Sequence, residues 1–516
     1  MKFPLAYDNG AYSPAAAVAA KRAAVANAGP KGSSDPMLAR GDDIAKMVGY
    51  WDKTAAIIDG IEAMREAGAL FLPKFTDEEA EEHESRLKLT KMTNVFRDIV
   101  ESLAAKPFER NVKIDEDGDP LPELISNFDQ NVDGAGLTLT AFANLVFFNG
   151  IANAIDWIMV DAPTRDPSIR TLADMKAKGV RPYWSRVLGY NVIRATSKVI
   201  DGIECLTFIR IYEPGETDHI REFERNPDGT VVWRLFAETD KVDPKTMTKF
   251  VQTDEGMLSI GRIPMVPFAT GRRDGRTWRY HPSLQDAADL QIELYQQESG
   301  LKFAKTLTAY PMLSGNGIKP EKTADGKSIK KIRVGPNRVL YAPPDGGGNA
   351  GSWSYVEPSA ESLKFLAADI EGTIKELREL GRQPLTVQSS NLTSITTQVA
   401  AGKAKSAVKQ WGIVLKLALT EALKLTAQFV GVDTSTVNYD VDIFLEFDEF
   451  FDDKSLDSLG KDRDRGDLSR ESYWEEMRRR GIYRQNFDPE EEKLRLLSEV
   501  PSDGTTPIDP APPVGG

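Results

Sequence analysis

The chain has 516 residues and a formal net charge of −13, with 41% hydrophobic and 28% charged residues, a composition that predicts two to four domains with ordinary globular cores. A free-standing DNA binder is usually basic, so the acidic balance predicts that this chain repels DNA on average and touches it at few places. A single cysteine, Cys205, excludes a disulfide framework, and none of the three histidines (His83, His219, His281) has a His or Cys near enough for zinc-binding spacing.

Residues 1–42 read as a flexible N-terminal arm. Met1 to Gly10 lacks the charged and apolar regions of a signal peptide, and Ala15 to Ala28 is rich in alanine without large apolar anchors. From Asp43 to about residue 112 the pattern is helical. Tyr50, Ile57, Ile58, Ile61 and Met64 recur at helical spacing, and Phe71-Leu72-Pro73 breaks the run. A second helix is predicted from Thr76, with Asp77, Glu78 and Glu79 in its first turn, where acidic groups suit the helix dipole. Thr93 to Ala104 continues the pattern and Pro107 stops it. Leu137 to Asn149 is an apolar helix.

Around Trp157 the period changes to that of strands, and residues 183–270 predict an antiparallel meander. Glu204 to Tyr212, Ile220 to Arg225 and Val231 to Phe236 are β-rich, with Asn226-Pro227-Asp228-Gly229 as a turn. Cys205 falls in an apolar strand and reads as a small buried hydrophobe. His281 reads as a turn residue before Pro282, which is placed to open a long helix over 282–309. Residues 310–358 predict a small β-rich module (Ile332 to Val334, Arg338 to Ala342, Trp353 to Val356). Helix resumes at Ser359 and carries the stripe Leu363, Leu366, Ala367, Ile370, Ile374 and Leu377 until Gly381 and Pro384 end it.

Residues 385–395 are polar and predict a mobile loop. A long helix follows from Thr396 to Val430, then an alternating strand over 437–447. Within that helix the apolar stretch from Ile413 is interrupted by Lys416, Glu421, Lys424 and Gln428, which a lipid-spanning segment would not carry. Residues 454–498 predict charged amphipathic helices, and 499–516 a disordered tail. The fold class is α+β, with two long helices flanking a small β module.

The chemistry that would mark an enzyme is missing from the sequence. Asp325-Gly326-Lys327-Ser328 resembles the end of a phosphate-binding loop, but Glu321 stands where its first glycine belongs. Gly346-Gly347-Gly348 reads as a spacer. No nucleophile-elbow or His-Glu-x-x-His pattern occurs. The carboxylates Asp448, Glu449, Asp452 and Asp453 could pair on Mg²⁺, although a solvated face is the better reading. The expectation is a protein that is not an enzyme and has no catalytic residues, cofactor or metal. Two basic clusters stand out against the acidic background. One runs from Lys319 to Arg338 and includes Lys327, Lys330, Lys331 and Arg333. The other is Lys403, Lys405 and Lys409, with no acid between Thr396 and Thr420.

Several segments, in order, resemble the portal proteins (head-to-tail connector family) of tailed double-stranded DNA bacteriophages. They are Tyr50-Trp51, Asp59-Gly60, Phe71-Leu72-Pro73, Arg86 and Lys106-Pro107-Phe108; Arg181-Pro182-Tyr183 and Ile209 to Glu213; Arg262 to Pro267 followed by Pro282 to Ala288; and Gly466 to Ser469, Arg479 to Ile482 and Glu490 to Glu492. The resemblance spans roughly residues 43–495 and rests on order and spacing. It implies a portal fold: a wing (43–281), a stem helix (282–309), a clip (310–358), a second stem helix (359–384), a tunnel loop (385–395), a long helix with a wing strand (396–453) and crown helices (454–498).

The resemblance further implies a homo-oligomeric ring, usually of twelve subunits, at one capsid vertex of a virion assembled in the host cytoplasm. Double-stranded DNA would pass through it transiently and without sequence specificity. Partners would be the large terminase, neck or tail adaptor proteins, and capsid and scaffold proteins, with no membrane. In that setting Lys403, Lys405, Lys409, Ser389, Ser390 and Asn391 are candidates for the DNA channel, and Lys327, Lys330, Lys331 and Arg333 for clip contacts with a partner. Two alternatives are a neck adaptor or connector, usually much shorter and without the two-helix excursion, and a DNA-processing terminase enzyme, which the missing phosphate loop opposes.

Overall fold

The computed structural model describes residues 35–76, 78–114, 118–163, 180–309, 312–316, 351–356, 360–381, 394–445, 453–479, 482–483 and 487–498. The chain divides into two compact units, Met1–Leu445 and Glu446–Gly516. Helix and sheet are mixed, as the α+β expectation requires.

The first unit begins before the expected boundary at Asp43. Asp35 accepts hydrogen bonds from the Thr248 hydroxyl and the Lys249 amide, and buried Arg40 donates to the carbonyls of Val192 and Tyr190. Residues 35–42 therefore belong to the body and not to an arm. Residues 1–34 lie outside the described residues. Helix α1 (Asp42–Asp59) has Asp42 and Asp43 in its first turn and stops at Gly60, whose φ of +94° suits only glycine. That stop splits the run expected through Met64, and α2 (Ile61–Ala67) follows.

Helix α3 (Ala80–Leu89) starts later than the Thr76 expected, because Glu78 is used in the preceding loop to hold Arg86. Helix α4 (Val95–Ala105) is capped by Asn94, whose side chain accepts from the Arg97 amide. Pro107 sits within a 3-10 turn, Lys106–Phe108, that tightens the helix end. The short strand β1 (Lys113–Ile114) precedes helix α5 (Leu139–Asn153), which Thr138 caps.

Strand β2 (Ile155–Asp161) is central. It pairs antiparallel with β3 (Tyr183–Leu188) and β9 (Met265–Ala269), which gives the order β3-β2-β9. Ile155, Trp157 and Met159 point into the main core, shared with the second sheet. Both α5 and the long helix described below pack on β2 and β9. The meander expected over 183–270 is confined to the second sheet, β4 (Val192–Ile200), β5 (Ile203–Glu213), β6 (His219–Arg225), β7 (Val231–Glu238) and β8 (Phe250–Leu258), paired in sequence order and antiparallel throughout, because its two ends, β3 and β9, pair with β2 instead. Glycine at 256 in β8 is a packing requirement. A Cβ there would lie 2.7 Å from the indole nitrogen of Trp233.

Two expectations about single residues are corrected. Cys205 on β5 is only half-buried, because it lies toward the exposed β4–β5 turn, where Val199 and Ile203 are also exposed. His281 lies on strand β11 (Tyr280–His281), opposite Arg272 of β10 (Arg272–Arg273), and is not a turn residue.

Helix α6 (Gln285–Ala309) begins after Pro282, with Ala288 donating to the Leu284 carbonyl as its first helical bond, so Pro282 is not its first residue. Strands β12 (Met312–Asn316) and β13 (Ser352–Val356) pair antiparallel. The first was not foreseen, and the expected runs at 332–334 and 338–342 lie outside the described residues. Helix α7 (Ala360–Leu380) and helix α8 (Ser394–Phe429) follow. Ser394 and Ile395 belong to α8, which shortens the expected loop, and residues 382–393 are outside the described residues. The strand expected over 437–447 is reduced to β14 (Val441–Asp442), because its only described partner is the equally short β1.

In the second unit, helices α9 (Asp453–Asp464), α10 (Arg470–Arg479) and α11 (Pro489–Ser498) surround an aromatic cluster. Phe487 stacks on Tyr483 at 4.6 Å and meets Trp474 edge-on at 5.8 Å.

Candidate functional site

The feature that departs from a plain globular body is the excursion from α6 to α7. The two helices pack on each other, and Gln297 of α6 reaches Asp369 of α7 at 3.2 Å. Further along, Met312 faces Val356 in the β12–β13 ribbon. These pairings describe an antiparallel helical hairpin continued by a two-stranded ribbon.

Only the proximal half of the hairpin is embedded. Leu284, Ala287, Ala288, Gln291, Leu294, Tyr295 and Ser299 of α6 are buried, as are Thr373 and Leu377 of α7. Beyond Ser299 the described side chains become half-buried or exposed, and Phe303 and Phe365 reach 40% and 72% exposure. The free part of α6, about ten residues, extends roughly 15 Å at 1.5 Å per residue. The stripe predicted on α7 is its less exposed side, from Leu363 through Ile370 to Leu377. Large apolar side chains standing off that stripe are unusual unless another surface covers them.

The anchor is built from polar groups. The side-chain oxygen of fully buried Gln291 accepts from the Val95 and Phe96 amides at 2.9 Å, and its nitrogen donates to the Thr93 carbonyl at 3.0 Å. The Phe96 amide at the start of α4 is thus satisfied by α6, and the Val95 amide, which also reaches the Thr93 carbonyl at 3.1 Å, gains a second acceptor. Glu298 accepts from the amide and the hydroxyl of Thr93. Lys53 of α1 pairs with Asp289, and Arg378 of α7 pairs with Asp98 of α4 at 3.0 Å. Gly381 closes the anchor, since a Cβ there would lie 2.3 Å from the Ile99 side chain.

Arg86 sits beneath this anchor. It makes two short hydrogen bonds to Glu78, at 2.7 and 2.8 Å, donates to Pro73 and Ser299, and lies 4.0 Å from the centre of the Phe75 ring. The Arg86 guanidinium holds the Glu78 carboxyl down at about 2. A depressed carboxylate contributes stability above its unfolded value near 4.3, and that contribution is lost as pH falls through about 2. Glu78→Gln is therefore expected to cost about 3 kcal/mol at pH 7, because it leaves a buried guanidinium without its counter-charge. Urea unfolding at pH 7 and pH 2.5 checks this, and the variant should differ less from the parent at the lower pH.

Helix α8 ties the hairpin region back to the central sheet. Trp184 of β3 donates to the Thr426 hydroxyl at 2.7 Å, Arg262 pairs with Glu421 at 2.6 Å, and Lys416 pairs with Asp440 at 2.7 Å. Val408, Trp411, Leu415, Leu419 and Leu423 are buried, whereas Lys409, Gln410, Ile413 and Leu417 line an exposed stripe. Of the predicted channel residues, Lys409 therefore lies on a solvent-facing side. Lys403 and Lys405 are on the same helix, but their side chains are outside the described residues. Ser389, Ser390 and Asn391, together with Lys327, Lys330, Lys331 and Arg333, are outside them altogether. Sequence reading missed Gln291 and Glu298, although a Gln and a Glu interrupting an apolar helical face are the signal that could have found them.

Among the described residues, no group of three or more His, Cys, Asp or Glu side chains is placed to hold a metal ion, and no helix is long and apolar enough to cross a membrane.

Residues 283–430, the excursion together with α8, match a family model described as a domain of unknown function, DUF4055. No curated protein matches the chain. Among the solved structures similar to it are two necks of GTA particles. The neck of a native GTA particle, computed with C12 symmetry, aligns at 10% identity over 73% of this chain and 88% of that one, with a TM-score of 0.38. The neck of an empty GTA particle, computed with C6 symmetry, aligns at 12% identity over 80% and 91%, with a TM-score of 0.36. At these values neither likeness carries an argument about function.

Proposed function

We propose that the chain is a portal-type subunit, one of about twelve in a ring that admits and releases double-stranded DNA at a single vertex of a virion assembled in the host cytoplasm. The observation that carries this reading is the anchored hairpin. Two helices are fixed at their base by Gln291, Glu298 and Arg378, leave the body with exposed phenylalanines, and end in a ribbon. A long helix then returns to the core. That order is the stem, clip, stem and long helix of the family that the sequence resembles.

In this reading, neighbouring subunits cover Phe303, Phe365, Ile413 and Leu417. The net charge of −13, repeated around the ring, keeps DNA sliding past the wall rather than held on it. Lys403, Lys405 and Lys409, with Ser389, Ser390 and Asn391, give transient contact. Lys327, Lys330, Lys331 and Arg333 meet the large terminase or a neck or tail adaptor, and capsid and scaffold proteins surround the body. The subunit turns over no substrate and enters no membrane.

Electron-microscope images and mass measurement of the purified chain at micromolar concentration test the proposal. Closed rings with a central channel are expected. Phe365→Glu should leave a folded monomer, since burying one phenylalanine contributes about 1.5–3 kcal/mol at each interface. A parent protein that remains monomeric overturns the reading.

A further inference from the structure

The five-stranded sheet carries a second feature unrelated to the hairpin. Period-two alternation puts Arg194, Thr196 and Lys198 of β4 on one face. The register brings Phe208 of β5 opposite Thr196, and Glu224 of β6 opposite Phe208. With Thr207 and Arg225, these residues line an open cavity of about 320 Å³.

The charges in the cavity are unbalanced. Glu222 is taken by Arg210 at 2.6 Å, Glu224 by Arg234 at 3.0 Å, and Glu204 by Arg273 at 2.6 Å. Arg225 gives its Nε to the Gly261 carbonyl at 2.7 Å, so its position is fixed by the chain itself. Among the described residues, no carboxylate forms an ion pair with Arg194 or Lys198. In a chain with an excess of acid, two cations on one sheet face with no ion-paired carboxylate among the described residues, Arg194 and Lys198, call for an anion from outside.

We propose that this cavity binds a phosphate group together with the nucleoside attached to it. The Arg194 guanidinium offers forked donors that match phosphate oxygens, and Lys198 adds a point charge. The volume exceeds what one phosphate fills and matches small ligand sites. The half-buried Phe208 ring at the floor offers a face on which a base can stack. The site is separate from the residues proposed for a channel, so it stands or falls independently of ring assembly.

The test uses the full chain and a short single-stranded oligonucleotide carrying 5-iodouracil, at low and moderate salt, with pyrophosphate, a mononucleotide and polyglutamate as competitors. Photocross-linking should fall on the peptide containing Phe208 and be competed by pyrophosphate. Affinity should drop at least tenfold in Arg194→Glu/Lys198→Glu, whose exposed side chains can be changed without loss of fold, as circular dichroism will show. Lys245→Ala, at an exposed cation on the β7–β8 connection, should leave the cross-link in place. A mononucleotide that competes as well as the strand identifies a free nucleotide as the source; one that competes poorly identifies a nucleic-acid strand. Cross-links confined to other peptides overturn the proposal. Unchanged affinity in the double variant, or competition by polyglutamate equal to that by pyrophosphate, does the same.

Discussion

Gln291→Leu is expected to destabilise the Met1–Leu445 unit by about 1–3 kcal/mol, measured by chemical unfolding at pH 7. Leucine keeps the volume and suits the apolar stripe of α6, so packing alone would favour it. The loss is polar. The Phe96 amide loses its partner, and the Val95 amide and the Thr93 carbonyl keep only their bond to each other at 3.1 Å. Val95 and Phe96 are themselves buried, so water does not replace the missing bonds. Each unsatisfied buried group costs about 1–3 kcal/mol. Gln291→Glu is the informative companion: at pH 7 it places a carboxylate in a fully buried site, so its loss should shrink as the pH falls and the protonated carboxyl again accepts from the amides. Hydrogen exchange should locate the damage in the first turn of α4. If Gln291→Leu unfolds like the parent, the hairpin is not anchored through this side chain.

Asp156→Asn is expected to stabilise the same unit by about 2–4 kcal/mol at pH 7–8, and to have little effect near pH 4. Asp156 lies on the central strand β2 between Leu188 and Phe268, fully buried, and neither of its carboxyl oxygens closes a hydrogen bond among the described residues. Burial pushes its carboxyl up to about 8, against the opposing pull of the Arg186 guanidinium and the Trp157 and Gly189 amides. The folded state therefore keeps a proton that the unfolded chain releases near pH 4. Its contribution to stability is fully present below the unfolded value and is lost as pH rises through about 8, at roughly 1.4 kcal/mol per pH unit between the two. Asparagine matches the neutral form and has no proton to lose. Part of the gain is offset because its amide also lacks a partner. Thermal unfolding of both proteins from pH 4 to pH 8.5 gives the comparison, and parallel curves would show that Asp156 is charged or solvated in the fold.

Elements whose signal is local were legible in the sequence. The meander from β4 to β7 was readable because alternation and the turn at Asn226 to Gly229 are properties of neighbouring residues. The apolar stripe of α7 was readable for the same reason. The two long helices and the strand expected over Trp353 to Val356 framed the excursion from the sequence. The face of β4 that carries Arg194, Thr196 and Lys198 was also there to be read, although its meaning was not, because only the strand pairing shows that the acids of β5 and β6, Glu204, Glu222 and Glu224, are taken by other arginines.

What the sequence by itself determined is the α+β class, the order of elements and the absence of enzyme motifs, since composition and short-range periodicity carry them. What only the tertiary structure decided is where elements begin and which polar groups are buried. Helix α3 starts late because Glu78 is held by Arg86, residues 35–42 join the body because Asp35 and Arg40 find partners about 150 to 210 residues away, and the strand around Val441 is short because β1 is short. Gln291, Arg86 and Asp156 look like ordinary polar residues in the sequence. Their weight comes from desolvation, and that depends on which distant segments close over them.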